Sequence, residues 1–279
     1  AFTGDFLNEE GQPAYNDVGI KMLKPVPHVR YHFLTAQSPT RGDPAYWHRF
    51  YSLELTAEQI ADIDGLVVLR PWVKRSVFER GAGNLVVIGR SGVGYDKIDV
   101  EACTANDVAI FNAPGVLNHS TASSALMFML ALAKRLPQQD RITRAGRWDQ
   151  QAAVLGGEIQ GRTLGIIGLG PSGQELVRLV APFGMQVLAY SPHADPERAC
   201  VLGVRLTSLD EVLGESDFVS LHCRLTHETR GMLGRAQLAM MKPTAYLVNV
   251  ARGELIDQAA LVAVLEGRQI AGAWRNSRR

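Results

Sequence analysis

Short apolar runs alternate with segments of helical periodicity along most of the chain, a pattern that predicts parallel sheet layered by helices. In the first part, Val29–Leu34, Gly65–Leu69, Leu85–Gly89 and Val108–Phe111 read as strands. Between them, Ala57–Ile63 behind the capping candidate Thr56, and Val100–Asn106 behind Asp99, read as helices. Asn112-Ala-Pro-Gly115 closes this small open α/β domain. Ser120-Thr-Ala-Ser-Ser124 is then the candidate cap of a helix running to about Arg135. That helix is apolar on nearly every side, which predicts burial between domains or between subunits. A polar stretch from Gln138 to Gly161, with Arg147-Trp148-Asp149 inside it, precedes a second α/β series that begins at Thr163. The expected division is therefore 1–115 and 116–279.

Composition narrows the partners. The chain has 279 residues, 46% of them hydrophobic and 20% charged, as in ordinary globular proteins. Its net charge of +1 offers no electrostatic reason to expect nucleic acid or an anionic membrane. The longest apolar run, Ala125–Ala133, is too short to span a bilayer, and Ala1–Phe6 shows no secretory pattern. Cys103, Cys200 and Cys223 are odd in number and far apart, with no CxxC, so reduced thiols in a cytoplasmic protein are expected rather than a disulfide or a metal site.

The candidate chemistry starts at Thr163-Leu-Gly-Ile-Ile167, a buried-strand pattern that runs directly into Gly168-Leu-Gly170-Pro-Ser-Gly173. A helical pattern, Gln174–Ala181, follows, with Leu176, Val177, Leu179 and Val180 as its packing face, and a second strand, Gln186–Tyr190, comes at the right distance. In such a unit Gly168 permits the tight turn, Gly170 lets backbone approach a pyrophosphate, and Gly173 lets helix and strand pack closely. The helix start then offers N–H groups and partial positive charge to phosphates. After the second strand, where a carboxylate favours NAD, stands Ser191-Pro-His193, and the nearest downstream arginine is Arg198. NAD and NADP both remain open.

Several segments together resemble one family, the D-isomer-specific 2-hydroxyacid dehydrogenases. They are Ser91-Gly-Val-Gly-Tyr-Asp-Lys-Ile-Asp99, Asn112–Gly115, Arg144-Ala-Gly-Arg-Trp148, the glycine loop, Leu221-His222 with Leu225-Thr226, and Met241-Lys-Pro through Val248-Asn-Val-Ala-Arg-Gly253. They fall in the family's order from about 65 to 273, while the first sixty residues match loosely. The resemblance implies two open parallel-sheet domains, Rossmann-like or flavodoxin-like: a substrate domain over 1–115 and an NAD(P)-binding Rossmann domain over 116–279, with the active site in the cleft between them. It implies that Arg252 is the catalytic arginine, holding a 2-oxo acid and polarising its carbonyl. Gly92, Val93 and Gly94 match the loop that presents N–H groups to the substrate carboxylate, and Arg70 is a further substrate-side candidate. On the cofactor side the matches are Gly168, Gly170, Pro171, Ser172, Gly173, Ser191, His222, Cys223, Arg224, Thr229, Val250 and Ala251. His222 is expected to shape the cofactor pocket rather than donate a proton.

Three departures qualify the likeness. Arg224 stands where family members usually have proline, and Thr121-Ala-Ser123 where valine-alanine-glutamate is usual. After Ala273 the chain reads Trp274-Arg-Asn-Ser-Arg-Arg279, a basic tail without a strand pattern. The Rossmann domain is thus expected to lack its last strands, as in a truncated or frameshifted end, and turnover is expected to be impaired. The expected function is hydride transfer between NAD(P)H and a small 2-oxo or 2-hydroxy acid, by a homodimer. An NAD(H)-binding interaction protein of the corepressor type, or an inactive truncated product, stands as the alternative.

Overall fold

The computed structural model describes residues 1–275, the side chain of Arg275 excepted. Two compact units divide the chain, Ala1–Val116 and Leu117–Arg279. In the first, β1 (Phe2–Thr3), β2 (Phe33–Leu34), β3 (Gly65–Val68), β4 (Val87–Arg90) and β5 (Ala109–Phe111) form one parallel sheet in the order β2-β1-β3-β4-β5. Leu66, Val68 and Ile88 from its strands pack with Ile60, Val73, Val77, Ile98 and Cys103 in a single core.

Expected elements are present, with instructive trims. Val29–Leu34 shortens to Phe33–Leu34, because its only partner, β1, is itself two residues long. The Leu85 N–H turns back to the Ala82 carbonyl at 3.0 Å, so β4 cannot start until Val87. Helices over Ala57–Ile60 and Val100–Ala105 are capped as anticipated: Thr56 and Gln59 form a capping box, and Asp99 accepts from the Ala102 N–H.

In the second unit, β6 (Thr163–Ile167), β7 (Gln186–Tyr190), β8 (Val204–Leu206), β9 (Phe218–Leu221), β10 (Tyr246–Asn249) and β11 (Gly272–Arg275) pair in the order β11-β10-β9-β6-β7-β8, all parallel. Counted from the first strand, that is 3-2-1-4-5-6, a doubly wound Rossmann sheet. Strand residues alternate between two cores. Leu164, Ile166, Phe218 and Val248 face the helices Asn118–Ala133 and Pro171–Val180, whereas Ile167, Val219, Leu221 and Leu247 face Leu209–Glu215, Arg235–Ala239 and Gln258–Glu266. Gly165 sits in β6 because a Cβ there would lie 2.7 Å from Val212 Cγ1 and 2.3 Å from Ser216 Oγ.

Two expectations are corrected. The first is the sheet's end. Trp274 and Arg275, expected from sequence to lie outside any strand, belong to β11, with Val248 opposite Trp274 and Asn249 opposite Arg275. The free edge of β10 imposes pairing on a segment whose own composition does not demand it, and the Trp274 ring stacks on Phe128 with centroids 4.2 Å apart. Residues 276–279 of the expected tail lie outside the described residues.

The second correction concerns the serine-rich segment. The helix opens at Asn118, so Ser120–Ser124 lies inside it, where the Ser123 and Ser124 hydroxyls donate back to the Ser120 carbonyl instead of capping. Within its unit this helix buries one stripe, Ala122, Ala125, Met129 and Ala133. Among the described residues no helix is long and apolar enough to cross a membrane.

Candidate functional site

At the carboxyl ends of β6, β7, β9 and β10 the second unit gathers most of the residues singled out in its sequence. The strand order reverses between β6 and β9, and ligands of doubly wound sheets bind outside such a switch point. The glycine loop is locked on two sides. Gly168 has φ +96°, and a Cβ on it would stand 2.6 Å from the Cys223 nitrogen, so the turn after β6 presses against the chain leaving β9. A Cβ on Gly173 would stand 2.6 Å from the Gly168 carbonyl. Gly170 differs from both: nothing lies within 4 Å of where its Cβ would be. It is the residue before the helix Pro171–Val180, whose start no side chain caps.

His222 joins this loop to the sheet. Its Nδ1 lies 3.2 Å from the Ser172 hydroxyl and its Nε2 2.9 Å from that of Ser220, a fully buried residue of β9. Burial pushes the imidazole down to about 4, so it is neutral at physiological pH, one ring nitrogen donating and the other accepting. Cys223, pushed up to about 11 by burial, is a neutral thiol facing the Met232 sulfur at 4.0 Å. Beyond it, the Thr229 hydroxyl donates to the Arg224 carbonyl at 2.7 Å and accepts from the Thr226 N–H at 2.8 Å, which ties the loop to itself. After β7, the Ser191 carbonyl accepts from the Ala194 N–H at 3.0 Å, and the loop's carboxylate, Asp195, caps the next helix.

Val250, Ala251 and Arg252 continue β10. Arg252 is half-buried in extended backbone, and its Nη1 donates to the Ala251 carbonyl at 3.2 Å. The first unit places its own candidates at the carboxyl ends of β3 and β4. The Arg70 guanidinium lies over the Phe50 ring, 4.5 Å from its centroid, donates to the Tyr15 hydroxyl at 2.9 Å and stands 3.5 Å from Asp5. Asp5 is buried, which pushes its carboxyl above the ordinary range against the hydrogen bond from Thr3 and the charge of Arg70. In the Gly92–Gly94 turn, the Gly92 N–H is engaged by the Arg90 carbonyl at 2.8 Å, leaving those of Val93 and Gly94 as the pair that can meet a ligand. Arg90 Nε and Asn112 Nδ2 hold the Gly94 and Val93 carbonyls at 2.9 and 2.8 Å.

Sequence reasoning missed Asp5, Ser220 and Asn249. Each is a polar residue at or beside an apolar strand, and that interruption was the available signal.

A family model, "D-isomer specific 2-hydroxyacid dehydrogenase, NAD binding domain", matches residues 126–275. The chain belongs to that family. It is 42% identical over 229 residues to a glyoxylate reductase of Thermococcus onnurineus, covering 80% of this chain and 68% of the relative. It is 41% identical over 194 residues to a D-3-phosphoglycerate dehydrogenase of Archaeoglobus fulgidus, covering 70% of this chain and 37% of that longer relative. Among solved structures, D-lactate dehydrogenase of Aquifex aeolicus, complexed with NAD and lactic acid, superposes with a TM-score of 0.80 at 25% identity, covering 98% of this chain and 74% of that one. The protein is therefore an oxidoreductase of the 2-hydroxyacid dehydrogenase type whose cofactor is NAD(H), with NADP(H) possible. The residues fit that cofactor: two glycines close the loop against protein, and the one that must admit a pyrophosphate is open.

Proposed function

We propose that the protein reduces a small 2-oxo acid to its D-2-hydroxy acid with impaired turnover, the hydride coming from NAD(P)H and the proton from solvent, in the cytoplasm and as a homodimer. The observation that carries this reading is the placement of Arg252 two residues beyond Val250, at the same carboxyl edge of the sheet as the open Gly170 loop. The cofactor supplies the hydride when bound; Gly168–Gly173, Ser191 and the 222–224 and 250–251 segments are the residues that would hold it.

The Arg252 guanidinium pairs with carboxylate and keto oxygen and stabilises the negative charge that develops on that oxygen. A guanidinium does not serve as a general acid in a protein. His222 does not supply a proton either, because it is neutral and both ring nitrogens are engaged by serine hydroxyls. Its work is to hold Ser172 in the loop, so no rate through His222 is expected. In the first unit, the Val93 and Gly94 amides and Arg70 are the groups suited to a substrate carboxylate.

The test is NADH oxidation by the purified chain with glyoxylate, pyruvate and larger 2-oxo acids. Arg252→Ala should lower any turnover by roughly a hundredfold or more, the scale of losing one group that stabilises an oxyanion. Turnover unchanged in Arg252→Ala would refute the assignment of Arg252. A turnover at saturating NADH that His222→Ala abolishes while NADH affinity is kept would refute that of His222.

A further inference from the structure

We infer that Asn249 is a positioning residue that sets where Arg252 stands. This rests on the role just proposed for Arg252. Asn249 ends β10, paired on both sides by β9 and β11, and is 1% exposed, a buried amide in the apolar run Tyr246–Val250. A buried polar side chain costs stability unless its hydrogen bonds are made. Here both are made to the segment that carries the arginine. Oδ1 accepts from the Ala251 N–H at 3.0 Å, and Nδ2 donates to the Arg252 carbonyl at 2.7 Å.

That carbonyl also accepts from the Leu255 N–H at 3.2 Å, so the amide braces the backbone on both sides of the turn into Gly253–Leu255. Arg252 is thereby held in extended backbone, φ −130° and ψ 136°, directly after a strand that would otherwise run on without a bend. The requirement is specific. Only a side chain of this length with an acceptor and a donor on one carbon satisfies both backbone groups; leucine or valine would fill the space and leave an N–H and a lone pair unmet.

The experiment uses the full chain and oxamate, an unreactive 2-oxo acid mimic, titrated by calorimetry into NADH-saturated wild type, Arg252→Ala, Asn249→Ala, the double variant and Asn249→Asp. Asn249→Ala should weaken oxamate about tenfold, a coupling usual within one hydrogen-bond network, with NADH kept saturating for each variant. The double variant should bind oxamate no worse than Arg252→Ala alone, because the amide acts through the guanidinium. Asn249→Asp keeps the acceptor but sets a carboxylate oxygen against the Arg252 carbonyl. Its deficit relative to wild type should therefore shrink as pH falls and the carboxyl regains a proton to donate, a recovery that a general loss of stability would not produce.

Oxamate affinity unchanged in Asn249→Ala, with Arg252→Ala impaired, overturns the inference alone. Oxamate affinity unchanged in Arg252→Ala overturns the role of the arginine and the inference with it.

Discussion

Gly170→Val should weaken dinucleotide binding while leaving the fold nearly untouched, and the contrast with Gly168→Ala makes this a quantitative test. At Gly170 the backbone has φ −75° and ψ −174°, open to any residue, and no atom lies within 4 Å of the added Cβ. The cost to the free protein is then the loss of a tolerated residue before a helix, about 1 kcal/mol or less, or roughly 2–4 °C in Tm. In the complex, three carbon atoms occupy space the pyrophosphate needs. Overpacking of that size costs about 1–3 kcal/mol, a loss of roughly five- to a hundredfold in affinity. Gly168→Ala inverts the pattern. Its φ of +96° is strained for alanine, at about 1–2 kcal/mol, and its Cβ would overlap the Cys223 nitrogen and Cα at 2.6 and 2.7 Å, for about 1–3 kcal/mol more. Differential scanning fluorimetry without ligand, paired with NADH titration by fluorescence, separates the two effects. If Gly170→Val binds NADH as wild type does, or melts as early as Gly168→Ala, the assignment of the open glycine to the cofactor is wrong.

Three further outcomes follow from groups described above. His222 has its pKa depressed from 6.5 to about 4, so the unfolded chain binds the extra proton first. Stability should hold above about pH 6.5 and fall as pH drops toward 4, by at most about 3 kcal/mol; urea unfolding across that range should show a slope that His222→Gln flattens. Arg70→Ala removes the cation beside the buried Asp5 and should destabilise the first unit by about 3–5 kcal/mol; adding Asp5→Asn should recover much of this in denaturant melts, and additive losses would show that the pair is not coupled. Ser191 neither repels a 2′-phosphate nor has an arginine neighbour in sequence, so the Kd values for NADH and NADPH should differ by less than about a hundredfold, or roughly 2.7 kcal/mol; a larger preference for NADPH would reveal a cationic site, with Arg198 the first to mutate.

What the chain's residues disclosed on their own was whatever depends on near neighbours. The glycine loop was legible because strand, turn and helix are contiguous, and Gln186–Tyr190 came out with its bounds unchanged. Arg252 was found through a motif, yet its support was not, because Asn249 matters only once the strand ends and the chain turns back over its amide. Asp5 and Ser220 were invisible for a related reason: their partners Arg70 and His222 are identified as partners by the fold. β1 escaped because two residues carry no periodicity, and β11 because the edge of β10, rather than the composition of Trp274 and Arg275, decides that they pair.

The uncapped start of the helix Pro171–Val180 reaches past binding into how long the protein survives. Its first-turn N–H groups meet no side-chain acceptor, and an anion bound there would complete the helix. Because such a ligand binds only the folded chain, it deepens stability by about 2.7 kcal/mol at a hundredfold excess over its Kd. Where proteolysis depends on transient opening, the supply of nicotinamide nucleotide then sets the rate of degradation. In a limited-proteolysis assay, cleavage of the folded chain should therefore slow as NADH is added.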